Sequence, residues 1–252
     1  MSDDKIKVPG WPLKRRLLIG ALVVVVALAV ALVVVVVNQR RADAMRCGDG
    51  VEKRGDRQEC IGVTDGSYVF SPDLADVEGR IHAENMAVTS SGDPYVTVAV
   101  LLPMTPTPLD DVVRPEWVRR QLEGSFLAQY WANNRATPGD RPLIRLLLAN
   151  AGSQMAQWES VVADLEGRVA DPDHLVAVAG IGLSLENARN AMHRLSEARI
   201  PIFGSTITAD ELSGISGLLR VAPTNTMQAK AAATYIKPLA RTALLVQDTN
   251  PG

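Results

Sequence analysis

Hydrophobic and polar positions divide the chain into three stretches. From Leu17 to Val37 every residue is Leu, Ile, Val, Ala or Gly, 21 positions without a charge. As a helix this run is roughly 31 Å long at about 1.5 Å per residue, close to the roughly 30 Å hydrocarbon core of a bilayer. A globular helix of this length carries a polar face and this one has none, so the pattern predicts a transmembrane helix. Residues 38–94 are polar and dotted with glycine. They hold a turn signal at Thr64-Asp65-Gly66-Ser67 and a short helix expected within Asp73 to Met86.

After Pro94 apolar runs alternate with helical stripes. Tyr95–Leu102 reads as a strand buried on both faces. Pro115 opens a helix with Val118, Leu122, Phe126 and Tyr130 on one side. Leu143–Leu148, Leu175–Ala179, Pro201–Phe203 and Leu218–Val221 are further strands, with stripes from Trp158 to Val169 and Ala188 to Ala198 between them. Thr208 and Glu211 have the capping-box spacing that starts a short helix. A helix over Met227 to Ile236 and a sixth strand at Thr242–Val246 close the pattern. Strands alternating with helices imply parallel pairing, so the expected fold class is α/β, a doubly wound parallel sheet preceded by one transmembrane helix.

The expected organisation is a cytoplasmic tail over 1–16, the membrane helix over 17–37, a polar extracytoplasmic connector over 38–94, an α/β ligand-binding lobe over 95–225, and a crossover with the first strand of an incomplete second lobe over 226–252. Lys14, Arg15 and Arg16 abut the apolar run on its N-terminal side. That places the N-terminus in the cytoplasm and the lobe outside, in a single-pass cell-membrane protein. Ala42-Asp43-Ala44 has the form of a signal-peptidase site, but the apolar run exceeds a signal h-region, which favours an uncleaved anchor. Cys47 and Cys60 are the only cysteines, and both lie just beyond the membrane. In an oxidising compartment they are expected to pair.

Charge and composition narrow the function. A net charge of −2 and 4% aromatics give no basic face or stacking platform, so no nucleic-acid partner is expected. With three His and two Cys, a zinc site is hard to assemble, and no metal or other cofactor is expected.

In a doubly wound sheet ligands sit beyond the carboxyl ends of the strands, near the switch in strand order. Gly180-Ile181-Gly182-Leu183-Ser184 follows the third parallel strand, where two glycines admit a close backbone approach. Ser184 either caps the next helix or, with the neighbouring amides, holds an anion. Ser205, Thr206 and Thr208 cluster after the fourth strand, and Met104-Thr105 after the first; the plain alternatives are capping and an ordinary loop. Asn150 and Asn225 border elements, where Asn usually serves the backbone. The dinucleotide motif fails at Leu185 and the hydrolase elbow at Glu186, so no enzyme is expected.

With those motifs in order, the segment from about Tyr95 to Asn250 resembles type 1 periplasmic binding proteins, the branched-chain amino-acid receptor group of ABC transporters. The resemblance rests on VAVLLPMT, GIGLS, IPIFGSTITADEL, LLRVAPTNTMQAKAAATYI and TALLVQDTN. It implies two lobes closing over a small solute such as an amino acid. The solute's carboxylate would be held by Ser184, Thr206 and Thr208, helped by backbone near Gly182, and a membrane permease would be a partner. Thr105 would line the same cleft. On this reading the chain stops after one strand of the second lobe. The alternatives are a remnant that makes only protein contacts and an extracytoplasmic enzyme.

Overall fold

The computed structural model describes residues 13–107, 113–134, 142–170 and 172–239, with 242, 244 and 246. The chain divides into two units, Met1–Arg46 and Cys47–Gly252. The described residues of the first, Arg46 aside, form one helix, α1, Leu13–Met45. The expected span Leu17–Val37 lies inside it. Among the described residues no helix is long and apolar enough to cross a membrane. The side chains of residues 13–21, 23–27 and 41 are outside that description.

The second unit is built on one sheet of eight strands. They are β1 (Arg46–Gly48), β2 (Val51–Arg54), β3 (Glu59–Thr64), β4 (Tyr95–Leu102), β5 (Leu143–Asn150), β6 (Leu175–Ala179), β7 (Ile202–Gly204) and β8 (Leu218–Arg220). Their order is β1-β2-β3-β5-β4-β6-β7-β8. The five strands after residue 94 are parallel, as the apolar runs predicted. Strand β3 joins them antiparallel, pairing Gly62 with Asn150 and Thr64 with Leu148. The helices are α2 (Ala75–Ser90), α3 (Pro115–Asn134), α4 (Trp158–Gly167), α5 (Glu186–Glu197) and α6 (Asn225–Ile236). Of the expected strand Thr242–Val246, positions 243 and 245 lie outside the described residues, and the described 242, 244 and 246 belong to no strand.

Alternation within each strand sorts the core into two layers. Ala99 and Leu101 of β4 face a cluster with Val162 and Leu165 of α4 and Met192 and Leu195 of α5. Val100 and Leu102 face the opposite cluster, with Val77 and Ile81 of α2 and Val118 and Leu122 of α3. Helices thus cover both faces, and the α/β class stands.

Residues 38–94 are not a connector. They supply three strands and a 16-residue helix to the same sheet. Ile61 and Val63 point into one core layer, and Leu74, Val77, Ile81 and Val88 of the α2 segment are buried. Two buried polar residues, Glu78 and Asn85, interrupt that helical stripe, which made it look short and polar.

The expected disulfide between Cys47 and Cys60 is formed, with Cα atoms 5.9 Å apart. It ties β1 to β3 around the first hairpin. Its reduction is expected to lower stability by about 3 kcal/mol, the chain-entropy value for a loop of this size. Thermal unfolding with and without reductant measures that loss.

Glu78 is fully buried, and burial pushes its carboxyl up to about 7, against the partial opposing effect of the Phe70 N–H donated to it. A folded-state value above the ordinary 4.5 means that the folded protein holds this proton more tightly than the unfolded chain. The stability it contributes is full below pH ~4.5, falls as pH rises to ~7, and is lost above that. The expected decline is about 3 kcal/mol. Urea unfolding across that pH range should show it. Glu78→Gln, which keeps an acceptor for Phe70, should remove the slope.

Candidate functional site

Among the parallel strands the spatial order is second, first, third, fourth, fifth. The order of connection reverses between β4 and β6, so a crevice is expected at their carboxyl ends. The segment after β6 turns sharply there. Gly180 has φ +93°, and a Cβ on it would lie 2.9 Å from Val100 Cγ1. Ile181 is then driven into the core. Gly182 is the meeting point of three elements. A Cβ there would lie 2.6 Å from Thr206 Oγ1, 2.7 Å from Trp117 Cζ2 and 2.9 Å from Ser205 Oγ. Only glycine lets the loops after β6 and β7 and the start of α3 approach so closely.

Hydrogen bonds hold this junction. Thr206 Oγ1 donates to the Gly182 carbonyl at 2.9 Å, and the Ser205 amide donates to the Ile181 carbonyl at 3.3 Å. The structure thus brings Gly182 and Thr206 together, with Ser184 two residues further along the same loop. Ser184 is exposed and makes no hydrogen bond among the described residues. It does not cap α5. The N-cap is Leu185, with no side-chain capping bond.

Thr208 departs from expectation too. The helical turn that follows it, Asp210–Gly214, has Ala209 at its N-cap and no side-chain cap, so no capping box forms. Instead the Thr208 carbonyl accepts the Asn225 amide at 2.8 Å, while Thr224 Oγ1 accepts the Met227 amide and caps α6. Capping has moved one element down the chain, and Asp210 follows it by accepting the Thr226 amide at 3.1 Å.

Thr105 lies on the other side of the switch. Its Oγ1 accepts from Asn150 Nδ2 at 3.2 Å. Asn150 is fully buried and satisfied by backbone: Oδ1 accepts the Met104 and Gly152 amides, and Nδ2 also donates to the Cys60 carbonyl. It serves the backbone, as expected of an Asn at the end of an element. Nearby, Arg57 at the tip of the β2–β3 hairpin donates to Thr107 Oγ1 (2.7 Å) and Ser153 Oγ (3.2 Å). A hairpin that the sequence pattern did not show thus adds a cation to this edge of the sheet.

Beside Gly182 a cleft of about 570 Å³ opens, lined by Val113, Arg114, Glu116, Trp117, Arg120, Gly182 and Leu183. Trp117, Arg114 and Arg120 were not among the expected site residues. At the start of a helix their pattern is that of a solvated basic face, and only the placement of Gly182 opposite Trp117 distinguishes it.

The other end of the strands is chemically different. Arg145 and Arg168 both bind Asp173, at 2.5 and 2.7 Å. Burial raises the Asp173 carboxyl, but the hydrogen bonds and charges of the two guanidinium groups outweigh it and hold the carboxyl below its ordinary value. Among the described residues no group of three or more His, Cys, Asp or Glu is placed to hold a metal. No protein-family model matches the chain, and no curated protein matches it.

Proposed function

We propose that the chain is a membrane-anchored, extracytoplasmic solute-binding protein, built on a lobe like those of type 1 periplasmic binding proteins. The observation that carries this reading is the junction at Gly182. Loops from two adjacent parallel strands are locked together beside an open cleft at the switch point, with the Ser184 hydroxyl left exposed. A carboxylate of the solute accepts from Ser184 and neighbouring amides, and Thr206 fixes the loop that presents them. No nucleophile–base pair stands among the described residues of the cleft, so the reading is of binding rather than catalysis, with a permease or sensor as the downstream partner.

Two observations support the anchored, extracytoplasmic placement. The uncharged apolar run Leu17–Val37 lies within the single helix α1, which suits an apolar solvent around it. The disulfide suits an oxidising compartment. A second reading, a protein-interaction module, is favoured by α6, which buries none of its residues and exposes Met227 and Tyr235.

Thermal unfolding of the full chain in detergent micelles, against a panel of amino acids and small organic acids, separates the two readings. A binding protein gains about 2.7 kcal/mol at a hundredfold excess of ligand over its dissociation constant. An interaction module gains nothing from any small molecule. For a compound that binds, Ser184→Ala is expected to cost about 1–3 kcal/mol of affinity. The melting temperature of the unliganded protein should stay unchanged.

A further inference from the structure

We infer that the solute is a small organic acid of net negative charge with an apolar body, held by Arg114 and Arg120; the inference rests on the solute-binding reading above. Arg114, Trp117 and Arg120 follow one another at three-residue spacing from the entry of α3 into its second turn, so they project as neighbours. All three line the 570 Å³ cleft, a volume suited to a small molecule. The two guanidinium groups make no hydrogen bond or ion pair among the described residues, whereas Arg119 beside them pairs with Glu123 at 3.6 Å. A guanidinium keeps its charge at any physiological pH and binds carboxylates through two parallel N–H donors.

Charge balance then selects the ligand. Among the described residues Glu116 is the only acidic one lining the cleft, against two arginines. Against that described lining a zwitterionic amino acid brings no net charge and leaves the excess cation uncompensated. An organic acid compensates it. The indole of Trp117, with Val113 and Leu183, supplies the apolar surface for the body of that acid. Trp117 is wedged against Gly182, in the loop that also carries Ser184.

Calorimetric titration of the full chain in detergent micelles tests this with phenylacetate as the acid and phenylalanine as its zwitterionic counterpart. Phenylacetate is expected to bind at least about tenfold tighter. Arg114→Gln and Arg120→Gln should each weaken it by about tenfold or more, while Arg119→Gln leaves it unchanged. Melting temperatures of the unliganded variants establish that each is folded. Phenylalanine binding as tightly as phenylacetate, or phenylacetate indifferent to both arginine variants, overturns the inference and leaves solute binding in place. Binding of only neutral or zwitterionic compounds from the wider panel overturns it in the same way. If no compound of the panel binds, both the inference and the solute-binding reading fall.

Discussion

Replacing Asn85 by leucine lowers the unfolding free energy by about 4 kcal/mol, one of the two largest single-site losses expected in this fold. The reason lies at the sheet edge. Strand β5 is paired on the β3 side only from Leu148 to Asn150. Its lower half would present unpaired backbone groups to the layer formed by α2 and α3. Side-chain amides take the place of the missing strand. Asn85 Oδ1 accepts the Leu146 amide at 2.9 Å, and its Nδ2 donates to the Leu146 carbonyl at 2.7 Å and to the Asp65 carbonyl at 2.8 Å. Gln129 donates to Asn85 Oδ1, and Asn133 binds the amide and carbonyl of Ile144. Asn85 is 2% exposed, so water cannot substitute. Leucine keeps the branched shape, is somewhat larger, and strands three backbone groups, each costing about 1–3 kcal/mol. Urea unfolding gives the loss. Asn133→Leu, at a less buried position, strands only the Ile144 amide, because Gln129 Nε2 still donates to the Ile144 carbonyl at 3.2 Å, and should cost about 1–2 kcal/mol.

Gly62→Ala is the second large loss, expected at about 3 kcal/mol or more. Gly62 pairs with Val51 across β2 and β3 and has φ +149°. A Cβ there would lie 1.9 Å from the Gly50 carbonyl oxygen and 3.0 Å from Val51 Cα. Both obstacles are backbone, which has no rotamer to give, so the strands must part. Parting them breaks the hydrogen bond from the Val63 amide to the Gly50 carbonyl. Gly79 is the contrasting case. It lies inside α2, and a Cβ on it would meet nothing within 4 Å, so alanine there should stabilise by up to about 1 kcal/mol. Opposite signs for two Gly→Ala changes, read from the same melting experiment, isolate the steric cause.

Gly62 falls in strands that were hidden in the sequence, whereas Asn85 lies in the helix expected within Asp73 to Met86, whose place at the sheet edge was hidden. Strands β4 and β5 were legible because each is a β-branched or leucine-rich run of eight residues, buried along most of its length, and the shorter β6, β7 and β8 because each follows a helical stripe or a turn in the same alternation. The N-terminal strands were not. Each is only 3 to 6 residues long, and β2 carries Glu52, Lys53 and Arg54. Its one deeply buried side chain, Val51, leaves no run to recognise. Asn85 and Glu78 broke the α2 stripe for reasons visible only in three dimensions: one mends a sheet edge and the other accepts from the Phe70 amide.

The candidate site was legible in outline. The loop after β6 and the hydroxyl loop after β7 do meet, at Gly182 and Thr206. Thr105 and Thr208 are instead engaged with Asn150 and with the entry to α6. The cleft's arginines and Trp117 carry no pattern of their own along the chain. Their meaning comes from what the sheet places opposite them.

Everything proposed for this protein depends on a small molecule binding at the carboxyl edge of the parallel strands. Hydrogen exchange of the full chain in micelles, with and without a saturating compound found in the thermal screen, locates that binding. Slower exchange is expected only at residues 114–120, 180–185 and 204–208. Slowing confined to α6, to the Arg145–Asp173 end of the sheet or to the β2–β3 hairpin would contradict it.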